Sequence, residues 1–254
     1  MTLSDAELER YARHIVLKEI GGAGQLRLKA GRVAVIGAGG IGSPALQYLA
    51  AAGVGQLTII DDDRVDLSNL QRQTLFASDQ LGSSKAAAAA ERIAALNLHV
   101  STRIEPLRLD SGNVVSLLDG HDVVLDGTDN FATRLMVADQ TLKLRIPLVS
   151  AAVGQFEGQL GVFRGWEAGK PCYRCFTGPD PETPGVNCAE QGVLGALTGI
   201  IGSLAALEVI RAIVSFGEDS AGKLLIADTL SLRFSTLSLP KDPGCSACGR
   251  ASEA

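Results

Sequence analysis

Apolar residues come in short unbroken runs separated by polar, glycine-rich or alanine-rich segments. The runs Arg32–Ile36 (RVAVI), Leu57–Ile60 (LTII), His121–Leu125 (HDVVL) and Pro147–Ala152 are too short for helices. They read as strands buried on both faces. Segment 99–107 reads as a further strand. Between the strands, Pro44–Ala52, residues 86–97 and residues 131–144 have helical patterns. Strand and helix alternating in this way predict an α/β fold with a parallel, doubly wound, Rossmann-like sheet. Upstream, Ser4-Asp5-Ala6-Glu7 is a capping box, predicting a helix that continues through Tyr11–Ile15 and stops near Gly21-Gly22.

The rhythm changes after Val153. Gly158–Phe163, Leu224–Ala227 and Leu232–Leu239 read as strands without a helix after each one. The expectation is a largely antiparallel second half on the same continuous sheet. Phe176–Gly192 carries Pro179, Pro181 and Pro184 and reads as a mobile loop. Gly192, Gly195, Gly199 and Gly202, with Ala196, Ala205 and Ala206, suggest a close-packed helix or helix pair. The uncharged stretch Gly192–Leu207 falls short of the ~20 residues that span a bilayer, and Glu208 and Arg211 end it. A buried helix is expected, and no membrane partner. No internal repeat is visible, so residues 1–254 are read as a single domain.

Composition narrows the class. The chain has 254 residues, 46% hydrophobic and 20% charged, which fits a globular protein and excludes a disordered one. A net charge of −5 leaves no electrostatic footprint for nucleic acid. Met1–Arg10 has no apolar core of a signal peptide, so a cytoplasmic protein is expected.

Candidate chemistry begins at Gly37-Ala38-Gly39-Gly40-Ile41-Gly42, between a predicted strand and a predicted helix. Small residues let the backbone approach a phosphate, and a helix N-terminus offers free N–H groups. Asp61 follows at the end of the second strand, where an acid holds ribose hydroxyls. This much would also suit NAD. The next segment, Leu67-Ser68-Asn69-Leu70-Gln71-Arg72-Gln73 followed by Lys85, adds cations. A triphosphate carries more charge than a dinucleotide and calls for them, although either cation alone reads as a surface residue. Asp126-Gly127-Thr128-Asp129-Asn130 sits at the end of the fourth predicted strand, beside the same crevice. A carboxylate there suits magnesium, and a helix N-cap before Phe131 is an equal local reading.

The chain has five cysteines. Cys172-x-x-Cys175 and Cys245-x-x-Cys248 match a closed four-sulfur zinc site. A redox dithiol needs only one pair and leaves the other unexplained. Cys188 remains, ahead of Ala189-Glu190-Gln191-Gly192, either as a nucleophile or as an inert loop cysteine. The three histidines are scattered and take no role.

Taken together, Arg10–Arg13, Gly37–Gly42, Asp61-Asp62-Asp63, LSNLQRQ at 67–73, Lys85, DGTDN at 126–130, CYRC at 172–175 and GCSACG at 244–249 carry a resemblance. They resemble the MoeB/ThiF family of adenylyltransferases, relatives of the ubiquitin-activating enzymes, over nearly the whole chain. The resemblance implies ATP-dependent adenylation of the C-terminal glycine of a ubiquitin-like sulfur carrier protein ending in Gly-Gly. Thiocarboxylate formation for thiamine or molybdopterin synthesis follows, with sulfur from a separate donor protein. It implies ATP, magnesium and zinc. The implied nucleotide contacts are Gly37, Gly39, Gly40, Gly42, Asp61 (ribose), Asp63, Asn69, Arg72, Gln73, Lys85, Asp129 and Asn130, with Asp129 also on magnesium. Arg13 is implied to reach the triphosphate of a neighbouring subunit in a homodimer. The catalytic set is then Arg13, Arg72, Lys85, Asp129 and Cys188. The chain divides into an N-terminal helical segment (1–30), a nucleotide-binding half (31–152) and a carrier-binding and zinc half (153–254). Asp61-Asp62-Asp63, Ala152-Val153-Gly154 and Asn187-Cys188 tilt the carrier reading slightly toward the thiamine branch. The competing functions are an NAD-dependent oxidoreductase, which leaves Arg72 and Lys85 without a purpose; a zinc-stabilised scaffold; and an adenylating dehydratase acting on a tRNA carboxylate, which the acidic balance disfavours.

Overall fold

The computed structural model of the chain describes residues 2–178 and 192–249. Its eight strands are β1 (Arg32–Ile36), β2 (Gln56–Ile60), β3 (Ser101–Glu105), β4 (Val123–Asp126), β5 (Leu148–Val153), β6 (Glu157–Phe163), β7 (Lys223–Asp228) and β8 (Arg233–Ser238). They form one sheet in the order β3-β2-β1-β4-β5-β6-β7-β8. Pairing is parallel from β3 to β5 and antiparallel from β5 to β8. Both halves of the expected sheet are therefore present, and they are continuous.

The period of two along each strand divides the core between two faces. Val33 and Val35 of β1, Leu57 and Ile59 of β2, and Val123 and Leu125 of β4 join one cluster. It is covered by α3 (Gly21–Ala30), α4 (Gly42–Ala52), α5 (Lys85–Leu96) and α9 (Gly195–Val214). Ala34, Ile36, Val124 and Leu148 point the other way, onto α6 (Val114–Leu118) and α7 (Phe131–Leu144). Both faces of the central strands are thus dry, which is why their sequences read as unbroken apolar runs.

Several elements differ from the sequence reading. The N-terminal helix is broken into α1 (Asp5–Arg10) and α2 (Ala12–Ile15), and Gly21 begins a helix instead of ending one, at φ +59. Helix α3 has little amphipathic pattern, and buried Leu28, Gln25 and Gly24 fix it through tertiary packing. Strand β3 is shorter than 99–107, and β4 starts two residues later than read. His121 instead sits buried ahead of β4, with Nε2 2.8 Å from Thr58 Oγ1 and Nδ1 3.0 Å from the Leu118 carbonyl. The glycine-rich region forms one helix, α9. It runs on through Glu208 and Arg211, which pair with each other at 3.2 Å. By length and composition α9 is long and apolar enough to cross a membrane. Here it lays Leu197, Ile201, Ala205 and Val209 on the sheet. Its outer side and β7–β8 line an apolar groove of about 660 Å³ that includes Ile200, Leu204, Leu225 and Phe234. The short helices α6 and α8 (Tyr173–Thr177) had no sequence signal. Most of the loop read over 176–192 lies outside the described residues.

The N-terminal segment is tied down by a buried carboxylate. Ser4 and Glu7 form the expected capping box. Lys29 Nζ donates to Glu7 Oε2 at 2.7 Å and to the Thr2 carbonyl at 2.9 Å. The hydrogen bond from the Lys29 ammonium, with help from the Ser4 N–H, holds the Glu7 carboxyl at about 2, below its ordinary 4.5. A depressed carboxyl stabilises the fold above its unfolded value, and that contribution is lost as pH falls toward the folded value. Glu7→Gln is therefore expected to lower Tm at neutral pH, with the gap to the parent shrinking between about pH 5 and about pH 3. Thermal melts of both proteins across that range check this, and a gap that does not change with pH would contradict it.

Candidate active site

The polar cleft opens where strand order reverses, at the carboxyl ends of β1 and β4, the usual ligand position in open α/β sheets. β1 ends at Ile36, and the chain turns through Gly37 at φ +85 into α4. A Cβ on Gly42 would stand 1.9 Å from the Gly37 carbonyl oxygen, so only glycine permits this crossing. Ser43 closes the turn, its N–H donating to the Gly39 carbonyl (2.8 Å) and its Oγ to the Ala38 carbonyl (3.1 Å). The Gly37 N–H donates to the Ile60 carbonyl (2.9 Å), and the Gly127 N–H to the Ile36 carbonyl (3.0 Å). The three strand ends are thereby registered against one another.

Asp61 lies directly after β2. Its Oδ2 accepts from the Ala38 N–H at 2.7 Å and its Oδ1 from the Asp63 N–H at 2.9 Å. Burial raises its pKa above the ordinary carboxylate value, against the pull of those two N–H donors and of Lys85. Each oxygen keeps a further lone pair, so the carboxylate can still accept from ligand hydroxyls. Segment 67–73 is shaped by Asp66, whose carboxylate accepts from the Ser68 N–H at 2.8 Å and caps a single 3₁₀ turn. The Asn69 carbonyl then accepts from the N–H groups of Arg72 (3.0 Å) and Gln73 (2.9 Å). Arg72 Nη1 donates to the Ser68 carbonyl at 3.1 Å. Gln73 is buried, and its Oε1 has no partner among the described residues. Lys85 opens α5. Its stem is buried and its ammonium donates to the exposed Asp63 carboxylate at 2.8 Å.

Segment 126–130 separates the roles of its two acids. Asp126 is fully buried, and its Oδ1 accepts from the Thr128 N–H (3.0 Å) and Oγ1 (2.7 Å), which makes the turn. Asn130 caps α7, its Oδ1 accepting from the Thr133 N–H at 2.9 Å. The N-cap reading and the ligand reading therefore fall on different residues. Asp129, between them, is exposed to the cleft and pairs with no other described residue. A lone carboxylate facing a polar cleft fits magnesium, which usually takes one or two carboxylates and keeps waters and phosphate oxygens as its other ligands.

The cleft has a volume of about 1160 Å³ and brings together Gly37, Gly39, Gly40, Asp61, Asp63, Asn69, Arg72, Gln73, Lys85, Asp129 and Asn130. Gly42 does not line it and acts by permitting the turn. Arg13 is exposed on α2 and is not among the cleft residues. Cys188 lies outside the described residues. The sequence reading missed Arg108, Arg134, Gln159, Tyr173 and Thr198, all of which line the cleft. None belongs to a phosphate or ribose motif, and only tertiary structure brings them there. Tyr173 did stand inside a noted motif, CYRC.

The four paired cysteines converge on one another and are not among the cleft-lining residues. Sγ–Sγ distances are 3.8 Å for Cys172–Cys175, 3.6 Å for Cys172–Cys245 and 3.4 Å for Cys175–Cys248. All four sulfurs lie within 4.8 Å of one another. A tetrahedron with metal–sulfur bonds of about 2.3 Å has edges near 3.8 Å, so the cluster fits a closed thiolate metal site. As thiols, Cys172 is raised by burial and Cys248 is pushed up to about 11 by burial and its neighbour Cys175. Cys245 is lowered despite burial, by the N–H groups of Cys248 and Ala247. Arg174, between the first pair, clamps Asp139 of α7 through two 2.7 Å hydrogen bonds.

Against known proteins, the ThiF family matches residues 11–247. A sulfur carrier protein adenylyltransferase from Thermus thermophilus is 44% identical, covering 98% of this chain and 93% of the relative. The SAMP-activating enzyme E1 of Haloferax volcanii is 43% identical over 98% of this chain and 92% of its own. The molybdopterin-synthase adenylyltransferase of Salmonella typhimurium is 41% identical over 98% and 99%. Among solved structures, Escherichia coli MccB with ATP superposes with a TM-score of 0.79 at 20% identity, over 98% of this chain and 83% of that one. That likeness is one of fold.

The turn geometry makes a contrast that melts can read. Gly42→Ala overpacks the turn and is expected to cost about 1–3 kcal/mol, lowering Tm by several degrees. At Gly39 a Cβ would meet only Gln73 Nε2, at 3.6 Å. Gly39→Ala is expected to stay within about 0.5 kcal/mol of the parent. Equal losses in the two variants would contradict the assignment of Gly42 as the crossing point.

Proposed function

The chain belongs to the ThiF family, and from that premise we propose that it adenylates the C-terminal glycine carboxylate of a small ubiquitin-like sulfur carrier protein with ATP. The observation that carries this reading is the set of groups around one cleft: ribose-type acid, two cations and a carboxylate with no partner among the described residues. A dinucleotide would need the first and leave the others idle. The dehydrogenase reading fails for that reason, and the relatives described above are adenylyltransferases or activating enzymes.

The chemistry asks little of acid or base. A glycine carboxylate is already ionised at pH 7 and needs no proton removed. One of its oxygens forms a bond to the α-phosphorus of ATP as the bond to the bridging oxygen of pyrophosphate breaks, giving acyl-adenylate and pyrophosphate. The protein's share is in-line positioning and neutralisation of charge. Asp61 accepts hydrogen bonds from the ribose hydroxyls. The turn at 37–42 lets the backbone approach the phosphates, and Asn69, Arg72, Gln73 and Lys85 take the phosphate oxygens, the cations drawing charge from the leaving pyrophosphate. A magnesium ion held by Asp129 and the phosphates would supply further charge neutralisation. Arg13 is proposed to serve the cleft of a second copy in a homodimer, since it is exposed outside its own. Sulfur is delivered afterwards by a separate donor protein. Zinc in the four-cysteine site would tie residues 245–248 to 172–175, a structural role because no ligand position stays open. A cytoplasmic location, where thiolates stay reduced, suits that site.

One relative is named for a sulfur carrier protein and another for molybdopterin synthase, so carriers of the thiamine and molybdopterin types are tested side by side. With a Gly-Gly carrier, ATP and magnesium, mass spectrometry is expected to show carrier joined to AMP. Asp129→Ala is expected to cut adenylate formation by roughly a hundredfold or more with Tm unchanged. Normal turnover by that variant would remove Asp129 from the mechanism. Metal analysis is expected to find one zinc per chain. Cys245→Ser should lose it and melt lower, while unchanged metal content would refute the four-sulfur site.

A further inference from the structure

Arg134, in the first turn of α7, is buried at 6% exposure. Among the described residues it forms no ion pair, and its acceptors are neutral oxygens. Nη2 donates to the Thr128 and Ala151 carbonyls, the latter at 2.8 Å, and Nη1 to Ser150 Oγ at 3.4 Å. Burying a guanidinium against neutral groups is costly, so its placement needs a reason. The ladder between β4 and β5 ends at the pair Asp126–Ser150. Beyond it the chain leaves β4 for the cleft while β5 continues, and Arg134 bridges the gap between them.

The bridged carbonyl matters most. The Thr128 carbonyl belongs to the peptide unit whose nitrogen is that of Asp129. Pinning it fixes the plane of that unit and with it the direction in which the Asp129 side chain leaves the backbone. On the far side, Asn130 is fixed by its cap on Thr133. Asp129, without a partner among the described residues, is thus held from both flanks. We propose that Arg134 is a positioning residue that aims the Asp129 carboxylate at the divalent cation carried by the nucleotide. This rests on the reading of Asp129 as a metal ligand. Ser150 on β5 is itself buried, and its Oγ holds the other arm of the guanidinium.

The test measures binding, not turnover. The probes are α,β-methylene ATP, titrated calorimetrically in EDTA, and Mn²⁺, titrated into the protein–analogue complex by EPR. Arg134→Lys is expected to weaken Mn²⁺ binding about tenfold, as loss of an outer-sphere partner does, with nucleotide affinity in EDTA unchanged. In an Asp129→Asn background it should add less than about twofold, since no carboxylate remains to aim. Unchanged Mn²⁺ affinity, an equal loss of nucleotide affinity in EDTA, or a full tenfold effect added to Asp129→Asn would each overturn the inference. If Asp129→Asn alone leaves Mn²⁺ affinity intact, the ligand reading of Asp129 falls, and this inference with it. If Asp129→Asn weakens Mn²⁺ and Arg134→Lys does not, only the inference falls. Should Arg134→Lys fail to fold, Ser150→Ala, which removes the acceptor of Nη1, decides: a two- to threefold weaker Mn²⁺ affinity at unchanged Tm supports it, and no change overturns it.

Discussion

Everything at the working end of this sheet depends on one close approach, where α4 crosses the end of β1. The Gly37 carbonyl occupies the space that any side chain at residue 42 would need. With that crossing in place, the Ala38 N–H points at Asp61 and the helix N-terminus opens toward the cleft. Hydrogen bonds from Gly37 and Gly127 then bind the ends of β1, β2 and β4 into one rim. Asp61 is part of this framework and also lines the cleft, half-buried. Its two oxygens fasten the glycine turn to the segment that carries Lys85, through Asp63. Small errors in the turn would therefore reach the acid and the cation together.

The second constraint is the division of labour within short motifs. In segment 126–130 one acid is buried to build the turn, one amide caps a helix, and one acid has no partner among the described residues. A carboxylate that satisfies the backbone is a poor metal ligand, whereas one held in place with its oxygens unused is a good one. The cysteine cluster works at longer range. It joins the end of the chain to α8, and Arg174 of α8 clamps α7, the helix that starts at Asn130. The cysteine cluster and the cleft thus meet through α7, in agreement with one sheet running unbroken past both.

Much of this was legible from sequence because the signals were local. Apolar runs placed β1, β2 and β5 to within a residue, and helix 131–144 matched because Asn130 caps it. Most of the residues that gather at the cleft follow a spaced motif and could be named individually. What was not legible depends on tertiary contact. Helix α3 starts with two glycines and is held by Leu28 and Gln25 under its neighbours, so the chain locally reads as a stop. His121 is apolar in context but polar in type, and its buried bond to Thr58 placed it outside the strand. Arg134 and Tyr173 carry no motif for the cleft they line. Gly42 belonged to the motif for a steric reason, not as a contact, and spacing alone could not tell the two apart.

The central claim is that this cleft activates a protein carboxylate. Its most direct test is magnesium-dependent exchange of labelled pyrophosphate into ATP, run without carrier and with thiamine-type and molybdopterin-type carriers ending in Gly-Gly. The account predicts exchange only when a carrier with an intact C-terminal glycine is present. No exchange with either carrier, on folded and zinc-loaded protein, would contradict it and point the same cleft toward a different carboxylate.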